Sequence, residues 1–453
     1  MLLKKLQQIL DTKRATANDT ILRQHSQDES YHTPVLPDVV VFPETTKEVQ
    51  QIVLIANELN VPITPFGIGS SLEGHSIPIN GGISIDFSLM NKIIDIQPEN
   101  FLVKVQPGVT RTQLNEALKK HGLFFSVDPG ADATLGGMAA TNASGTTAVK
   151  YGVMRDQVRN LQVIIPNGNI IETGNLATKS SSGYHLNGLF VGSEGTLGIF
   201  TELTVKVYGI PENVIAARAT FPSVDDAVQS VTTLLSAGIQ LERVELLDAP
   251  SVKQVNLHKE TNYEIQPTLF IELQGNERGI QQDIETMKEL LQIHDVNDIV
   301  FVEDTKSRNT LWEARHYLAY SYIHHYKGKK QMVTDVCLPL SKLAEGIKIA
   351  RVALDDVGLP GGIVGHVGDG NFHALVMVNM NDKSEIKKAN LFNEKVVQFA
   401  LDNGGTCTGE HGVGIGKAKY QQQEHGDAYR LMKEIKQLID PNGLFNPGKI
   451  FSE

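Results

Sequence analysis

The residue pattern that most constrains this chain is a long run of very small residues from Pro129 to Ala148. Ten of its twenty residues are glycine or alanine, and Asp132 is the one charged residue among them. Such small side chains bring the backbone close to its neighbour, and backbone polar groups at close range need hydrogen-bond partners. Close strand packing is one explanation. A long polar ligand lying along the backbone is the other, and we favour it.

Two further glycine-rich segments accompany this run. The loop 65–74 follows a predicted strand over 61–66, and the segment 191–199 precedes another strand. The first loop lacks the Lys-Ser/Thr of a nucleotide-binding P-loop, and Leu72 occupies the place of the third glycine of a dinucleotide fingerprint. Taken alone, this loop is equally consistent with a tight turn. Together the segments 65–74, 129–152 and 191–199 predict one cleft for a pyrophosphate-linked dinucleotide.

The length of the chain predicts two domains, because 453 residues exceed what one ordinary hydrophobic core supports. Short strands alternate with helices from Val39 to about Gly209, and Thr45-x-x-Glu48 predicts a capping box at the start of one helix. Beyond Pro211 the alternation continues in longer segments, which indicates a second α/β-type layer with its own core. We predict strands at 215–222, 242–248, 268–273, 298–304, 333–340 and 374–378, and helices near 223–237, 277–292, 305–325, 341–356, 384–402 and 425–439.

Charge and cysteine content exclude several classes of protein. The net charge of −11 argues against broad binding to nucleic acid. Cys337 and Cys407 are the only cysteines, too few for a disulfide framework, and they suit a reducing compartment. No apolar run is long enough for a membrane span, and residues 1–10 predict a surface helix, not a signal peptide. We therefore expect a cytoplasmic protein, with attachment to the inner face of the membrane as an alternative.

The sharpest chemical signal is the segment from Gly365 to His373. Asp369-Gly370 predicts a two-residue hairpin turn, which pairs residue 366 with residue 373 and brings two imidazoles to one side. Glu410 offers a third ligand, and two histidines with one carboxylate suit Zn²⁺, Mn²⁺ or Fe²⁺. Two ordinary hydrogen-bonded histidines are the alternative. We favour a metal site because a Glu-His pair flanked by glycines lies nearby in the sequence.

Two further residues are candidates for the chemistry. On a strand, adjacent side chains point to opposite faces, so His411 is not expected to share the ligand role of Glu410 and is available as a general base. Arg315 lies on a predicted helix, where an arginine is more often simply exposed than functional. Its planar guanidinium nevertheless suits a substrate carboxylate. Trp312 is expected in the core, and His75 is expected to have no special role.

Seven ordered segments carry a family resemblance that spans about 31–450. They are PFGIGSSLEG, VDPGADATLGGMAATNASG, VRNLQVIIPNG, GLFVGSEGTLGI, GHVGDGNFH, GTCTGEHGVGIGK and DPNGLFNPGKI. The chain resembles the FAD-linked D-lactate dehydrogenases of the cytochrome type, which group with the glycolate oxidase large subunit in the vanillyl-alcohol-oxidase superfamily. The resemblance implies an α+β fold. It comprises an FAD-binding PCMH-type domain of two subdomains, a cap domain with a ferredoxin-like antiparallel sheet, and C-terminal helices.

The resemblance also implies domain bounds. These are an N-terminal helical segment over 1–32, the FAD domain over 33–212, a cap and substrate domain with the metal site over 213–424, and a returning segment over 425–453. The cofactor residues implied are Pro65, Gly67, Ile68, Gly69, Ser70, Ser71, Pro129, Gly130, Ala131, Thr134, Gly137, Met138, Asn142, Ser144, Gly145, Tyr151, Gly152, Glu194, Gly195, Ile199 and Asn446.

For the reacting groups, the resemblance supports His366, His373 and Glu410 as metal ligands and His411 as the base. It also makes Arg315 the substrate clamp, which reverses the expectation from the helix pattern alone. Some relatives attach the flavin to a histidine where this chain has Ser70, so we expect non-covalent FAD. The branch that acts on D-2-hydroxyglutarate has an asparagine where this chain has Leu375, which favours a substrate without a second carboxylate.

The implied activity is oxidation of a small D-2-hydroxy acid to the 2-keto acid, by proton abstraction and hydride transfer to the flavin. The electron acceptor would be a quinone, a cytochrome or an electron-transfer protein, and the enzyme a monomer or homodimer. Three alternatives stay open. They are a glycolate oxidase large subunit that works only with iron–sulfur partner subunits, a flavin-binding electron carrier, and a metal-dependent hydrolase without flavin.

Overall fold

The computed structural model describes residues 1–452 and contains two compact units. The first unit comprises 1–144, 152–210 and the segment from 410 onward, and the second comprises 145–151 and 211–409. Apart from residues 211 and 212, which join the second unit, these units divide the chain differently from the predicted domains at two places. The segment 145–151 joins the second unit, where Lys150 Nζ lies 3.6 Å from Glu242 Oε2. The segment 410–424 joins the first unit, where the Val413 and Gly414 N–H groups donate to Glu194.

The strands and helices of both units are numbered in chain order. The strands are β1 (Ala15–Thr16), β2 (Val39–Val41), β3 (Ile63–Phe66), β4 (Ile83–Asp86), β5 (Ile93–Gln97), β6 (Leu102–Val105), β7 (Leu123–Phe124), β8 (Val158–Ile164), β9 (Ile170–Glu172), β10 (Ile199–Lys206), β11 (Tyr208–Gly209), β12 (Asn213–Thr220), β13 (Leu241–Leu247), β14 (Thr268–Gly275), β15 (Asp298–Val302), β16 (Lys330–Val333), β17 (Val336–Cys337), β18 (Gly361–His366) and β19 (Asn371–Val378). The α-helices are α1 (Leu2–Ile9), α2 (Asp19–Gln24), α3 (Thr46–Leu59), α4 (Arg111–Lys119), α5 (Leu135–Thr141), α6 (Ala148–Tyr151), α7 (Met154–Gln157), α8 (Leu186–Phe190), α9 (Val224–Ser236), α10 (Ala249–Lys259), α11 (Glu277–Gln292), α12 (Thr305–His316), α13 (Leu318–His325), α14 (Leu340–Val357), α15 (Lys383–Asp402), α16 (Gln421–His425) and α17 (Asp427–Ile439). Short 3-10 helices cover Pro98–Asn100 and Ala418–Tyr420.

The first unit has two main sheets. One has the strand order β1-β2-β4-β3, with β2 and β3 both parallel to β4. Helix α3 begins at the predicted capping box, in which the Thr45 side chain accepts from the Glu48 N–H and Glu48 reaches back to the Thr45 N–H. Its apolar stripe shares a core with α1 and this sheet, including Leu6, Ile52 and Ile83. The loop after β3 is the first of the glycine-rich segments.

The other main sheet of the first unit is antiparallel, with the order β5-β6-β10-β8-β9. Strand β5 was not predicted, because its residues are largely half-buried or exposed and its sequence lacks a long apolar run. One face of this sheet packs on a core that contains Leu114, Leu135 and Met138 from α4 and α5. Part of the Gly/Ala-rich run, Leu135–Thr141, therefore forms a short helix whose apolar side chains help to build this core.

The second unit is organised around one large sheet. Its strand order is β15-β12-β14-β13-β18-β19-β16, with β17 also pairing β19, and every pairing is antiparallel. This confirms the α+β class and the antiparallel cap implied by the resemblance.

The predicted helix over 305–325 is two helices that meet at Tyr317. Helix α10 was not predicted. Pro250 lies in its first turn, where proline is tolerated, and the Asp248 side chain caps the helix.

The C-terminal helix α17 departs from its sequence pattern in a different way. Its apolar stripe reads as a core-facing surface, yet Leu431 is 58% exposed and Leu438 is 82% exposed, while Tyr429 is its one buried residue. Met432, Ile435 and Ile439 are half-buried, and Ile439 packs against the core of the antiparallel five-stranded sheet. The apolar periodicity therefore marks a face of the helix that is buried only in part. Among residues 1–452, no helix is both long and apolar enough to cross a bilayer.

Candidate active site

His366 and His373 lie on the β18–β19 hairpin of the second unit, but the predicted register was wrong. His366 pairs with Asn371, and His373 pairs with Val364. The loop therefore spans 367–370, because the Gly370 carbonyl accepts from Leu338 N at 3.0 Å instead of bonding across the hairpin. The two histidines are diagonal neighbours, not directly opposed ones. They still share a face, since a register shift of two residues preserves the alternation of strand side chains.

The two imidazoles are close and buried. Their ring centroids lie 5.3 Å apart at 82°, and a ring nitrogen of one lies within 4.8 Å of a ring nitrogen of the other. Only 6% of His366 and 5% of His373 is exposed. Imidazoles this close and this well shielded from solvent are disposed to share one cation.

A buried glutamate orients His366. Glu245 on β13 is the direct cross-strand partner of His366, and its Oε1 lies 2.5 Å from His366 Nδ1. Its other oxygen, Oε2, accepts from Arg315 Nε at 2.9 Å and forms an ion pair with Arg315 Nη2 at 2.7 Å. Burial alone would raise the pKa of Glu245, but the adjacent His366 and Arg315 hold that pKa below its usual range. Glu245 is therefore a carboxylate held between two cationic or proton-donating side chains.

A second buried carboxylate lies beside His373. His373 Nδ1 lies 3.1 Å from the Thr334 carbonyl oxygen and 3.6 Å from Asp335 Oδ1. Asp335 is itself fixed, because it accepts from Asn371 Nδ2 at 2.8 Å and from Thr408 Oγ1 at 2.7 Å. Nδ1 of both histidines thus faces an acceptor, which places the proton on Nδ1 and leaves the Nε2 lone pair for a ligand. The donor set of these two residues fits a divalent metal.

Arg315 projects from the last turn of α12 toward the same strand. Its side chain is 15% exposed, and among the described residues its polar contacts are with Glu245: Nε donates a hydrogen bond and Nη2 forms an ion pair. The Nη1 edge of the guanidinium therefore remains available for another carboxylate. Three residues earlier on the same helix, Trp312 donates from Nε1 to Glu272 at 2.7 Å, so it is buried as expected but also hydrogen-bonded.

Glu410 and His411 open the last segment of the first unit, directly after Gly409, the last residue of the second unit. The predicted strand at Glu410 and His411 is absent. They lie in a bend, not a strand, and His411 Nε2 is 3.8 Å from Glu410 Oε1. Glu410 Oε2 also accepts from Ser144 Oγ at 3.2 Å. Their predicted roles beside the two hairpin histidines stay predictions.

A buried network in the first unit holds the loop that follows His411. Glu194 accepts from Val413 N at 2.6 Å and from Gly414 N at 2.9 Å, and His75 Nε2 lies 3.2 Å from its Oε1. Burial alone would lower the pKa of His75, but Glu194 keeps that pKa above its usual value. Burial likewise would raise the pKa of Glu194, and His75 lowers it. His75, which sequence analysis set aside, is thus part of the site architecture.

Asn446 and Lys449 complete this network. Asn446 Nδ2 donates to the carbonyl oxygens of His75 at 3.0 Å and of Glu194 at 2.7 Å. Lys449 Nζ donates to the Ile77 carbonyl at 2.7 Å and to Asn446 Oδ1 at 3.3 Å. Burial lowers the pKa of Lys449 to about 8. No signal short of the tertiary structure marks this lysine.

The three glycine-rich segments meet inside the first unit. An added Cβ at Gly67 would lie 2.7 Å from Thr134 Oγ1, and one at Gly195, where φ is +71°, would lie 2.9 Å from Pro65 Cγ. The Glu194 N–H donates to the Ala140 carbonyl at 2.8 Å. The sequence interpretation of one shared backbone cradle therefore agrees with the contacts, and such a cradle fits a dinucleotide approached by backbone groups.

The predicted cofactor residues are not equivalent in this cradle. The side chains of Met138 and Ile199 pack in hydrophobic cores, so only their backbone is available to a ligand. Gly145 and Tyr151 belong to the second unit, where Tyr151 Oη accepts from Gln274 Nε2 at 2.5 Å. The other predicted cofactor residues lie in the first unit. All of these assignments stay predictions.

Comparison with known proteins identifies the class and then the family. Residues 37–174 match the model of an FAD binding domain, and residues 210–450 match the C-terminal domain of FAD linked oxidases. The chain is an FAD-linked oxidoreductase. It belongs to the family of FAD-linked oxidases that includes the D-lactate dehydrogenases and the glycolate oxidase large subunit.

Individual relatives agree with this family. A protein of Danio rerio named probable D-lactate dehydrogenase, mitochondrial, is 42% identical over 96% of this chain and 88% of its own length. Glycolate oxidase subunit GlcD of Bacillus subtilis is 34% identical over 95% of this chain and 92% of its own length. The solved structure of p-cresol methylhydroxylase with substrate bound has a TM-score of 0.81 at 19% identity, covering 99% of this chain and 96% of that one. This last likeness confirms the PCMH-type fold.

Proposed function

We propose that this protein oxidises D-lactate, or a D-2-hydroxy acid of similar size, to the corresponding 2-keto acid with non-covalent FAD. The observation that carries the proposal is the attachment of His366 and Arg315 to the two oxygens of one buried carboxylate. That arrangement puts an imidazole that can bind a metal next to a guanidinium that can bind a carboxylate. A 2-hydroxy acid has a hydroxyl and a carboxylate on adjacent carbons, and recognising both requires these two groups. The name of the Danio rerio relative agrees with this substrate class.

FAD would be held by the backbone cradle built from Gly67–Ser71, Pro129–Ser144 and Glu194–Gly195, with Asn446 nearby in the network described above. When bound, the isoalloxazine ring supplies the hydride acceptor for the oxidation. Ser70 has no imidazole, which supports a flavin without a covalent histidyl link. The short side chains of the cradle let backbone N–H groups approach the pyrophosphate.

A divalent metal, Zn²⁺, Mn²⁺ or Fe²⁺, would be held by His366, His373 and Glu410. When bound, it supplies a positive charge that lowers the pKa of the substrate hydroxyl. The ligand assignment is supported by the Nδ1 hydrogen bonds of both histidines, which leave Nε2 as the ligand atom. Imidazole and carboxylate donors suit all three of these metals, so the choice among them depends on geometry and supply.

The chain's own residues then have separate tasks. Arg315 binds the substrate carboxylate through the guanidinium edge that Glu245 leaves available. His411 accepts the hydroxyl proton as general base. Holding the carboxylate fixes the substrate's C–H bond relative to the flavin, and such positioning contributes through entropy. Leu375 is buried in an apolar cluster of the second unit, which supports a substrate without a second carboxylate near it.

Several finer assignments remain part of this proposal. The electron acceptor is a quinone, a cytochrome or an electron-transfer protein, and the protein is a cytoplasmic monomer or homodimer. The function as a glycolate oxidase large subunit with iron–sulfur partners is less favoured, because the glycolate oxidase subunit is less similar to this chain than the D-lactate dehydrogenase relative. With two cysteines in the chain, an internal iron–sulfur cluster has too few ligands.

Anaerobic bleaching of the purified flavoprotein tests the proposed function. We expect D-lactate and other small D-2-hydroxy acids to reduce the flavin, and their L-enantiomers to do so at least tenfold more slowly. Prior treatment with a chelator should slow the D-acid reaction. Full activity of the isolated chain with a dye acceptor is expected for the dehydrogenase, whereas a requirement for added partner subunits would favour the glycolate oxidase alternative. An unbleached flavin with every acid of the panel would refute the proposal.

A further inference from the structure

Glu245 connects two side chains to which different tasks are assigned. It lies on β13, fully buried, and is the direct cross-strand partner of His366. Its Oε1 faces His366 Nδ1, and its Oε2 accepts from Arg315 Nε and forms an ion pair with Arg315 Nη2. Because each oxygen serves a different partner, a rotation of the carboxylate disturbs both contacts at once.

A structural role alone does not account for this arrangement well. Buried charges are costly to desolvate, and replacing a whole buried ion pair by apolar residues is often neutral or stabilising, so folding alone does not require these charges here. The neighbouring strand offers a comparison: Glu272 on β14 is also buried and also has cationic and donor partners, Arg243 and Trp312. Glu272 touches neither His366 nor Arg315 in any described contact. A comparison of the two glutamates therefore distinguishes the effect of removing a buried glutamate from the effect of removing the one beside His366 and Arg315.

We propose that Glu245 is a positioning residue that ties the metal-binding orientation of His366 to the substrate-binding orientation of Arg315. This inference rests on the proposed function. Through Oε1 it keeps the imidazole proton on Nδ1, so that Nε2 presents a lone pair to the metal. Through Oε2 it occupies one fork of the guanidinium and leaves the other edge for the substrate carboxylate. The Glu245 carboxylate thereby sets the distance between His366 on the metal side, where the substrate hydroxyl binds, and Arg315, which binds the substrate carboxylate.

The variant Glu245→Ala removes both contacts. Titration of the apo protein with Mn²⁺ should give a dissociation constant at least tenfold higher than that of the wild type, in line with the loss of other carboxylates that orient metal-bound histidines. The KM for D-lactate, measured at saturating Mn²⁺, should also rise at least tenfold, because Arg315 loses its support. FAD content and the flavin absorption spectrum should be unchanged, since all the predicted cofactor residues except Gly145 and Tyr151 lie in the other unit.

Glu272→Ala is the matched control and should leave the Mn²⁺ affinity and the KM within about twofold of wild type. Equal losses in both variants would overturn the proposal, because they would reflect a general disturbance of the sheet. It is likewise overturned if Glu245→Ala alters only one of the two quantities. If Glu245→Ala does not fold, Glu245→Gln replaces it. One amide oxygen cannot serve both partners, so at least one quantity must change tenfold, and no change in either overturns the proposal.

The Mn²⁺ titration separates this proposal from the proposed function. If the wild-type flavin is not bleached by any hydroxy acid, the proposed function fails, while the effect of Glu245→Ala on Mn²⁺ binding still tests the link to His366. If the wild type binds Mn²⁺ and oxidises D-lactate but Glu245→Ala behaves like wild type, the proposed function stands and the positioning role of Glu245 fails.

Discussion

Glu194 binds His75 and the backbone of the loop after His411 with the same carboxylate. Its Oε1 lies 3.2 Å from His75 Nε2 and accepts from Val413 N, while its Oε2 accepts from Gly414 N. Glu194 has a φ of +55°, in the left-handed region that non-glycine residues seldom adopt. Its side chain thus ties the candidate base loop to one of the glycine segments within the first unit.

Removing this carboxylate should cost both stability and activity. We expect Glu194→Ala to lower the free energy of unfolding by about 3–5 kcal/mol, because the change leaves His75 buried without its partner. Flavin reduction by D-lactate should slow, since the loop that carries His411 loses two backbone hydrogen bonds. Denaturant unfolding and stopped-flow reduction measure the two effects. Glu202→Ala is the control: Glu202 pairs with Lys104 near the surface of the same unit, and its loss should cost no more than about 1 kcal/mol. Equal losses of unfolding free energy in the two variants would show that Glu194 contributes no more than a surface ion pair does.

Lys449 should make the free energy of unfolding depend on pH in the alkaline range. Its folded pKa of about 8 lies below the ordinary value of 10.5, so between these pH values the unfolded chain binds more protons than the folded one. Stability therefore rises with pH across this window, by up to roughly 3 kcal/mol. The measurement is the free energy of unfolding of wild type and Lys449→Met at pH 7.5, 9 and 10.5. The rise should be present in the wild type relative to the variant. Parallel curves would mean that Lys449 keeps an ordinary pKa.

Metal retention should depend on the buried histidine pair and not on histidines in general. We expect His366→Ala and His373→Ala each to lose bound divalent metal, measured by plasma mass spectrometry after desalting, because each removes one ligand. The second unit offers a matched pair, His258 and His324, whose rings stack at 5.9 Å on the exposed surface. His258→Ala and His324→Ala should keep full metal content. Metal retained by the His366 and His373 variants would contradict the ligand assignment.

Arg315 should matter for substrate affinity more than for folding. Arg315→Lys keeps the positive charge but loses the planar fork, so we expect the KM for D-lactate to rise by tenfold or more, about 1.4 kcal/mol. The unfolding free energy should change little. Arg218→Lys is the control, because Arg218 is similarly buried in the same unit and bonds Asp298 at 2.9 Å. A KM in Arg315→Lys equal to that of the control would argue that Arg315 is a structural ion-pair residue only.

Local patterns were sufficient where the structure depends on nearby residues. The capping box at Thr45, the predicted helix over 277–292 and the presence of a β-hairpin between His366 and His373 all follow from short-range chemistry. The prediction that the two histidines share one face survived an error in register, because that error was an even number of residues. The apolar stripe of α17 is the opposite case, since periodicity alone does not reveal what a face packs against.

The seven ordered motifs were enough to identify the flavoprotein family, and that resemblance implied the antiparallel cap. The Asp369-Gly370 turn was enough to predict the hairpin with its two histidines, because turn chemistry is encoded locally. Which carboxylates support those histidines depends on the tertiary structure. Glu245 lies 121 residues from His366 and His75 lies far from Glu194 in the chain, and they meet because separate elements pack together. Such partners carry no local signal. The residues that flank a glutamate or histidine in the sequence do not reveal whether it will be buried beside a partner. The partner becomes necessary only on folding, because burial removes the side chain from water.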